Sequence, residues 1–172
     1  MTVGSTPYPF QFDTPPIATS SEDGTTTDVS LALKNVRGKI PSAQASRLRT
    51  MMLEAHNDPD KIIAHACTYD GLSSRLVEEA GFPIVFLAGY AMASAQGLPD
   101  TGYIALEDVC HKIQEAVRVT SIPVMADGDT GYGGPMNVRR TVECYAAAGA
   151  AGVMIEDQTW PKSMSSFHLS RS

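Results

Sequence analysis

The chain has 172 residues, a formal net charge of −6 and 43% hydrophobic residues. That is long enough for one domain with its own core, and the acidic balance argues against a nucleic-acid footprint. No apolar run approaches the roughly 20 residues of a membrane span, and a start without a basic, apolar leader, with no Lys or Arg before Lys34, points to a cytoplasmic protein rather than a secreted or mitochondrial one.

Residues 1–46 carry Pro7, Pro9, Pro15 and Pro16 and then the polar run Ser21-Glu-Asp-Gly-Thr-Thr-Thr-Asp28. Little there can build a packed core, so this stretch is expected to be a disordered N-terminal extension. Within it, Val29 to Val36 could form a short strand or a helical turn.

From Arg47 the texture changes. Arg47 to His56 reads as a helix with Leu48, Met51, Met52 and Ala55 on one face. Asn57-Asp58-Pro59-Asp60 stops it. Ile62 to Cys67 reads as a buried strand, with His65 and Cys67 as core residues. Gly71 to Ala80 reads as a helix with Leu72, Leu76, Val77 and Ala80 inward and Gly81 as its stop. Pro83 to Ala88 is a second strand, and Gly89 to Gly102 a long Gly/Ser/Ala-rich loop. Leu106 to Val119 is a helix, Ile122 to Ala126 a strand, and Pro135 to Ala148 a helix that Pro135 opens and Gly149 closes. Gly152 to Glu156 is a fourth strand. The three cysteines, Cys67, Cys110 and Cys144, have neither metal nor CxxC spacing and are expected to be reduced thiols.

Alternating strands and helices, with nearly continuous apolar strands, mean parallel β/α units. No GxGxxG turn points to a dinucleotide fold. Polar residues gather just after the strands, where parallel α/β sheets build their sites. The expected architecture is α/β, about four units of a (β/α)8 TIM-type barrel. A whole barrel takes about 250 residues, so this chain would supply its N-terminal half.

The richest motif is Met125-Ala-Asp-Gly-Asp-Thr-Gly-Tyr-Gly-Gly134. Positions i and i+2 of a strand share a face, so Asp127 and Asp129 would form a repulsive pair unless a cation lies between them. With Glu156 on the next strand and Asp100 on the long loop they make an oxygen-only donor set. Such a set suits magnesium, with manganese as the alternative ion, and a metal there would polarise a substrate oxygen. The competing reading is that Asp127 and Asp129 cap the following turn. Asp100, in Leu-Pro-Asp-Thr-Gly, could equally be a turn residue. Main-chain N–H groups at Gly89 and Tyr90 could receive a substrate carboxylate, although a plain turn is the commoner use of such a pair. Lys162 could neutralise an anionic substrate or simply be solvated.

Five segments together resemble the isocitrate lyase / phosphoenolpyruvate phosphonomutase superfamily. These are Tyr69-Asp-Gly-Leu-Ser-Ser-Arg-Leu-Val-Glu-Glu-Ala-Gly-Phe82, Leu87-Ala-Gly-Tyr90, Leu98-Pro-Asp100, Asp127-Gly-Asp-Thr-Gly-Tyr-Gly133 and Ile155-Glu-Asp-Gln-Thr-Trp-Pro-Lys162. Within it the chain is most similar to the carboxyvinyl-carboxyphosphonate phosphorylmutase-like and oxaloacetate hydrolase-like group, over about residues 47–162. The resemblance implies a magnesium-dependent, homo-oligomeric barrel enzyme. Such enzymes make or break C–C or P–C bonds in small 2-oxo or 2-hydroxy acids, such as oxaloacetate or 2-methylisocitrate, through a metal-stabilised enolate. It also implies that Asp127 is the direct ligand, with Asp100, Asp129 and Glu156 acting largely through waters. Gly89 and Tyr90 would hold the substrate carboxylate, and Lys162 would open a gating loop. In the lyase branch that loop continues into Cys-Gly-His, its cysteine the acid/base group. This chain instead reads Ser163-Met-Ser-Ser-Phe-His-Leu-Ser-Arg-Ser172. The expectation is therefore a C-terminally truncated barrel with a non-family tail at 163–172. Alone it would be weakly active or inactive, and would at most associate with full-length subunits.

Overall fold

A computed structural model describes residues 42–158. The expected element at Val29 to Val36, residue Lys162 and the tail at 163–172 lie outside the described residues. Helix α1 (Ala43–Asn57) begins earlier than the apolar periodicity at Arg47 suggests, because Ser42 is its N-cap and accepts the Ala45 N–H at 3.2 Å. Strands β1 (His65–Thr68), β2 (Ile84–Leu87), β3 (Val124–Asp127) and β4 (Gly152–Met154) form one parallel sheet in sequential order. Helices α2 (Gly71–Glu79), α4 (Leu106–Val119) and α5 (Pro135–Ala148) form the crossovers. Each of the first three strands is thus followed by a helix that returns the chain to start the next, as parallel pairing requires.

The register sorts the side chains. Val85, Leu87, Val124 and Ala126 pack against Val109, Ile113 and Ala116 of α4 and Tyr145 and Ala148 of α5. This buried layer holds the sheet and helices together through apolar area removed from water. Helix α1 lies at the start of β3 and β4. Its Gln44 and Arg47 side chains donate to the Ser121 carbonyl, and Leu48 is buried beside Gly152.

The structure departs from the sequence reading at four places. Cys67 and His65 are exposed rather than buried. They alternate with Thr68, whose hydroxyl faces the Phe86 carbonyl and Ser74, and among the described residues β1 pairs on one edge only. His65 rests against the Phe86 ring, with centroids 5.0 Å apart. Leu72 and Leu76 are exposed, and so is Ala80; of the expected inward face only Val77 packs on the core, and α2 buries Ser74 beside it. The expected loop from Gly89 begins with a helix, α3 (Gly89–Ala95), as suits a run rich in Ala and Met. Strand β4 ends at Met154, so Glu156 lies beyond it.

Candidate active site at the strand ends

The site is built on the turn after β3. Asp127 is the last residue of the strand, and Asp129 has left it, with a left-handed φ of 50°. The alternation of a strand therefore does not bring the two acids together; the turn does. Asp127 Oδ1 accepts the Asp129 N–H at 2.9 Å, while Oδ2 accepts the Gly89 N–H at 3.0 Å from the first turn of α3. A carboxylate offers about four lone-pair sites, so both oxygens can still face a cation.

Glycine is required in this turn at two positions. A Cβ at Gly128 would come within 2.8 Å of Val153 and 3.1 Å of the Met154 carbonyl oxygen, to which its own N–H donates at 2.7 Å. A Cβ at Gly131, φ 89°, would come within 2.4 Å of Val138. The close approach ties the turn to β4 on one side and to α5 on the other. The Glu156 N–H donates to the Asp129 carbonyl at 2.7 Å, which sets Glu156 beside the turn through main chain rather than through strand pairing.

Asp100, Asp127 and Asp129, with Gly89 and Tyr132, line one small cavity of about 10 Å³, room for about one water. Asp129 is buried, at 7% exposure. Among the described residues, no group of three or more His, Cys, Asp or Glu side chains is close enough to hold a metal ion directly. The all-oxygen donors still suit magnesium, which keeps several of its waters and takes only one or two carboxylates. The buried Thr130 hydroxyl on the same turn has no hydrogen-bond partner among the described residues.

Tyr90 is half exposed and lies outside this cavity. The Cys67 thiol beside its phenol pushes the phenol above its ordinary value. Asp70, two residues beyond β1, serves its own helix as the N-cap of α2. It accepts the Ser73 N–H at 2.8 Å and the Ser73 hydroxyl at 2.8 Å, and the Ser73 main-chain bond lowers its carboxyl below the usual aspartate value.

Two residues near the site escaped the sequence reading. The Tyr145 hydroxyl donates to the Asp127 carbonyl at 2.9 Å, and the Tyr132 and Tyr145 hydroxyls are 3.1 Å apart. Burial pushes the Tyr132 phenol up to about 12 and raises Tyr145 further. The available signal was Thr141, Tyr145 and Ala148 at helical spacing on the inward face of α5, a pattern that reads as core rather than as site support.

This strand-end arrangement has counterparts. Residues 53–170 match the model of the family described as phosphoenolpyruvate phosphomutase. The chain belongs to that family. The family member is 38% identical over 125 residues to a probable 2-methylisocitrate lyase 2 of Corynebacterium glutamicum, covering 73% of this chain and 41% of that protein. It is 39% identical over 117 residues to an oxaloacetate decarboxylase of Bradyrhizobium sp., covering 67% of this chain and 41% of that one. Among solved structures, a phosphonopyruvate hydrolase in complex with oxalate and magnesium superposes with a TM-score of 0.64 at 28% identity, over 70% of this chain and 41% of that one. A phosphoenolpyruvate phosphomutase of Streptomyces platensis superposes with a TM-score of 0.63 at 35% identity, over 69% and 39%. The chain thus spans about two fifths of the length of the relatives it matches, and its four parallel strands and their crossover helices correspond to part of their TIM-type barrels.

Proposed function

We propose that this chain supplies the cation-binding side of a site for a small 2-oxo or 2-hydroxy acid, in C–C or P–C bond chemistry of the kind its relatives' names describe. One observation carries the reading: Asp127 bridges β3 and α3 through Gly89, in a cavity that Asp100 and Asp129 also line. Magnesium, or manganese in its place, would be held by Asp127, with Asp100, Asp129 and Glu156 acting through waters. When bound, the ion supplies Lewis-acid polarisation of a substrate oxygen. The residues of the chain do the rest. Gly89 aims the Asp127 carboxylate by donating to it. The adjoining Tyr90 main chain takes the substrate carboxylate, and Lys162 offsets its negative charge. Oxalate, present in the related hydrolase complex, is the natural probe. Titration calorimetry of the full chain with magnesium, then with oxalate, should show oxalate binding that depends on the ion. Asp127→Asn should abolish it. Oxalate binding of equal strength with and without magnesium would sink the reading.

A second reading is favoured by the sheet edges: a non-catalytic chain that associates with full-length family members. Strands β1 and β4 each pair on one side among the described residues, and Ile62, Leu72 and Met154 are exposed beside them. Unpaired parallel edges invite pairing. Co-expression with a tagged full-length relative should recover this chain, and a monomer that melts cooperatively by itself counts against it.

A further inference from the structure

We propose that Tyr145 and Tyr132 are positioning residues of this site, holding the Asp127 main chain so that its carboxylate keeps one aim. The inference rests on the cation-site reading above. Tyr145 has one hydroxyl proton, and it goes to the Asp127 carbonyl at 2.9 Å. In the 3.1 Å contact between the two phenols, Tyr132 must therefore be the donor. The proton order of the chain is thereby set: Tyr132 to Tyr145 to the Asp127 carbonyl. Tyr132 also lines the cavity that Asp100, Asp127 and Asp129 share, so the chain of bonds runs from the cavity wall back to the main chain of its central acid.

The position of Asp127 explains why such a tie is needed. As the last residue of β3 its side chain is held by two amides, from Gly89 and Asp129, and both act on the carboxylate rather than on the carbonyl. Helix α5 reaches the Asp127 carbonyl through the Tyr145 side chain. Tyr145 is buried, at 1% exposure, in the core layer, so its hydroxyl is a fixed point against which the strand end is registered. Outer partners of this kind orient ligands, and losing one typically weakens metal binding about 10–100-fold.

The test uses the full chain with manganese alone as the probe, free ion being read by electron paramagnetic resonance, and hydrogen exchange of the Gly89 amide as a second readout. Tyr145→Phe removes one oxygen and keeps the ring. It should weaken manganese binding about tenfold and speed Gly89 exchange relative to the amides of β2. Tyr132→Phe should do the same to a smaller degree, and it serves if Tyr145→Phe does not fold. Ile113→Val, a core change matched in thermal midpoint, should leave both readouts at the unsubstituted values. Manganese affinity unchanged in both tyrosine variants, while Asp127→Asn loses binding, would overturn the positioning role and leave the site standing. An equal loss in Ile113→Val would reduce the tyrosines to packing and overturn it too. No manganese binding by the unsubstituted chain would overturn the site and this role together.

Discussion

Two aspartates follow strands of the same parallel sheet and do opposite things. Asp70, after β1, turns back on its own helix: its carboxylate accepts the N–H and the hydroxyl of Ser73, three residues on. Asp127, ending β3, reaches Gly89 at a separation of 38 residues, and its carbonyl is held by Tyr145 from α5. The first is a cap that local sequence fully accounts for. The second is an intersection of β3, α3 and α5, so it exists only when the sheet has formed. An acid at a strand end is therefore weak evidence of a site by itself, and what separates the two is how far away its donors lie in the chain.

The difference can be broken most forcefully at the β3 turn. Gly131→Ala should cost about 2–4 kcal/mol, from a left-handed φ combined with a Cβ driven into Val138, measured by urea unfolding. A cost below about 1 kcal/mol would mean that the turn can relax away from α5. Asp127→Ala comes next. It leaves the amides of Gly89 and Asp129 without their acceptor, at about 1–3 kcal/mol, and divalent-ion binding should disappear with it. Asp70→Ala should cost about 1 kcal/mol, the usual loss for a helix cap, with ion binding intact; a change in ion affinity would erase the distinction between the two strand ends.

A finer probe of the same pair is pH. The Asp70 carboxyl is lowered in the folded chain, first by the Ser73 N–H. A depressed carboxyl contributes stability that is present above the unfolded value and lost as pH falls through the folded one. Asp70→Asn keeps a good cap without the charge. The unsubstituted chain should therefore lose stability faster than Asp70→Asn as pH drops below about 4, seen in thermal midpoints across that range. The smallest effect belongs to the edge of the sheet: Leu76→Gln should change stability by no more than about 0.5 kcal/mol, because Leu76 is already 56% exposed. A large loss would show that this face is covered in solution.

Much of the fold was legible because its signals are local. Helices α4 and α5 run over the residues that apolar periodicity, Pro135 and Gly149 mark. Burial was legible only at the centre. Val85 and Leu87 are buried because β2 has neighbours on both edges and helices on one face. Cys67 and Leu72 carry an equally apolar pattern, yet among the described residues β1 has a neighbour on one side only. Periodicity reports which residues could be buried together, not whether a partner layer stands opposite them.

By itself the sequence determined the order of strands and helices, the glycine turn after β3, the family, and the acids gathered near the strand ends. Those follow from residue type and spacing along one stretch of chain. Only the tertiary structure decided that Asp129 meets Asp127 through a left-handed turn, that Gly89 is the donor aiming Asp127, and that two tyrosines stand behind it. The last two depend on hydrogen bonds between segments far apart in the chain, and no local pattern encodes which distant donor a carboxylate will find.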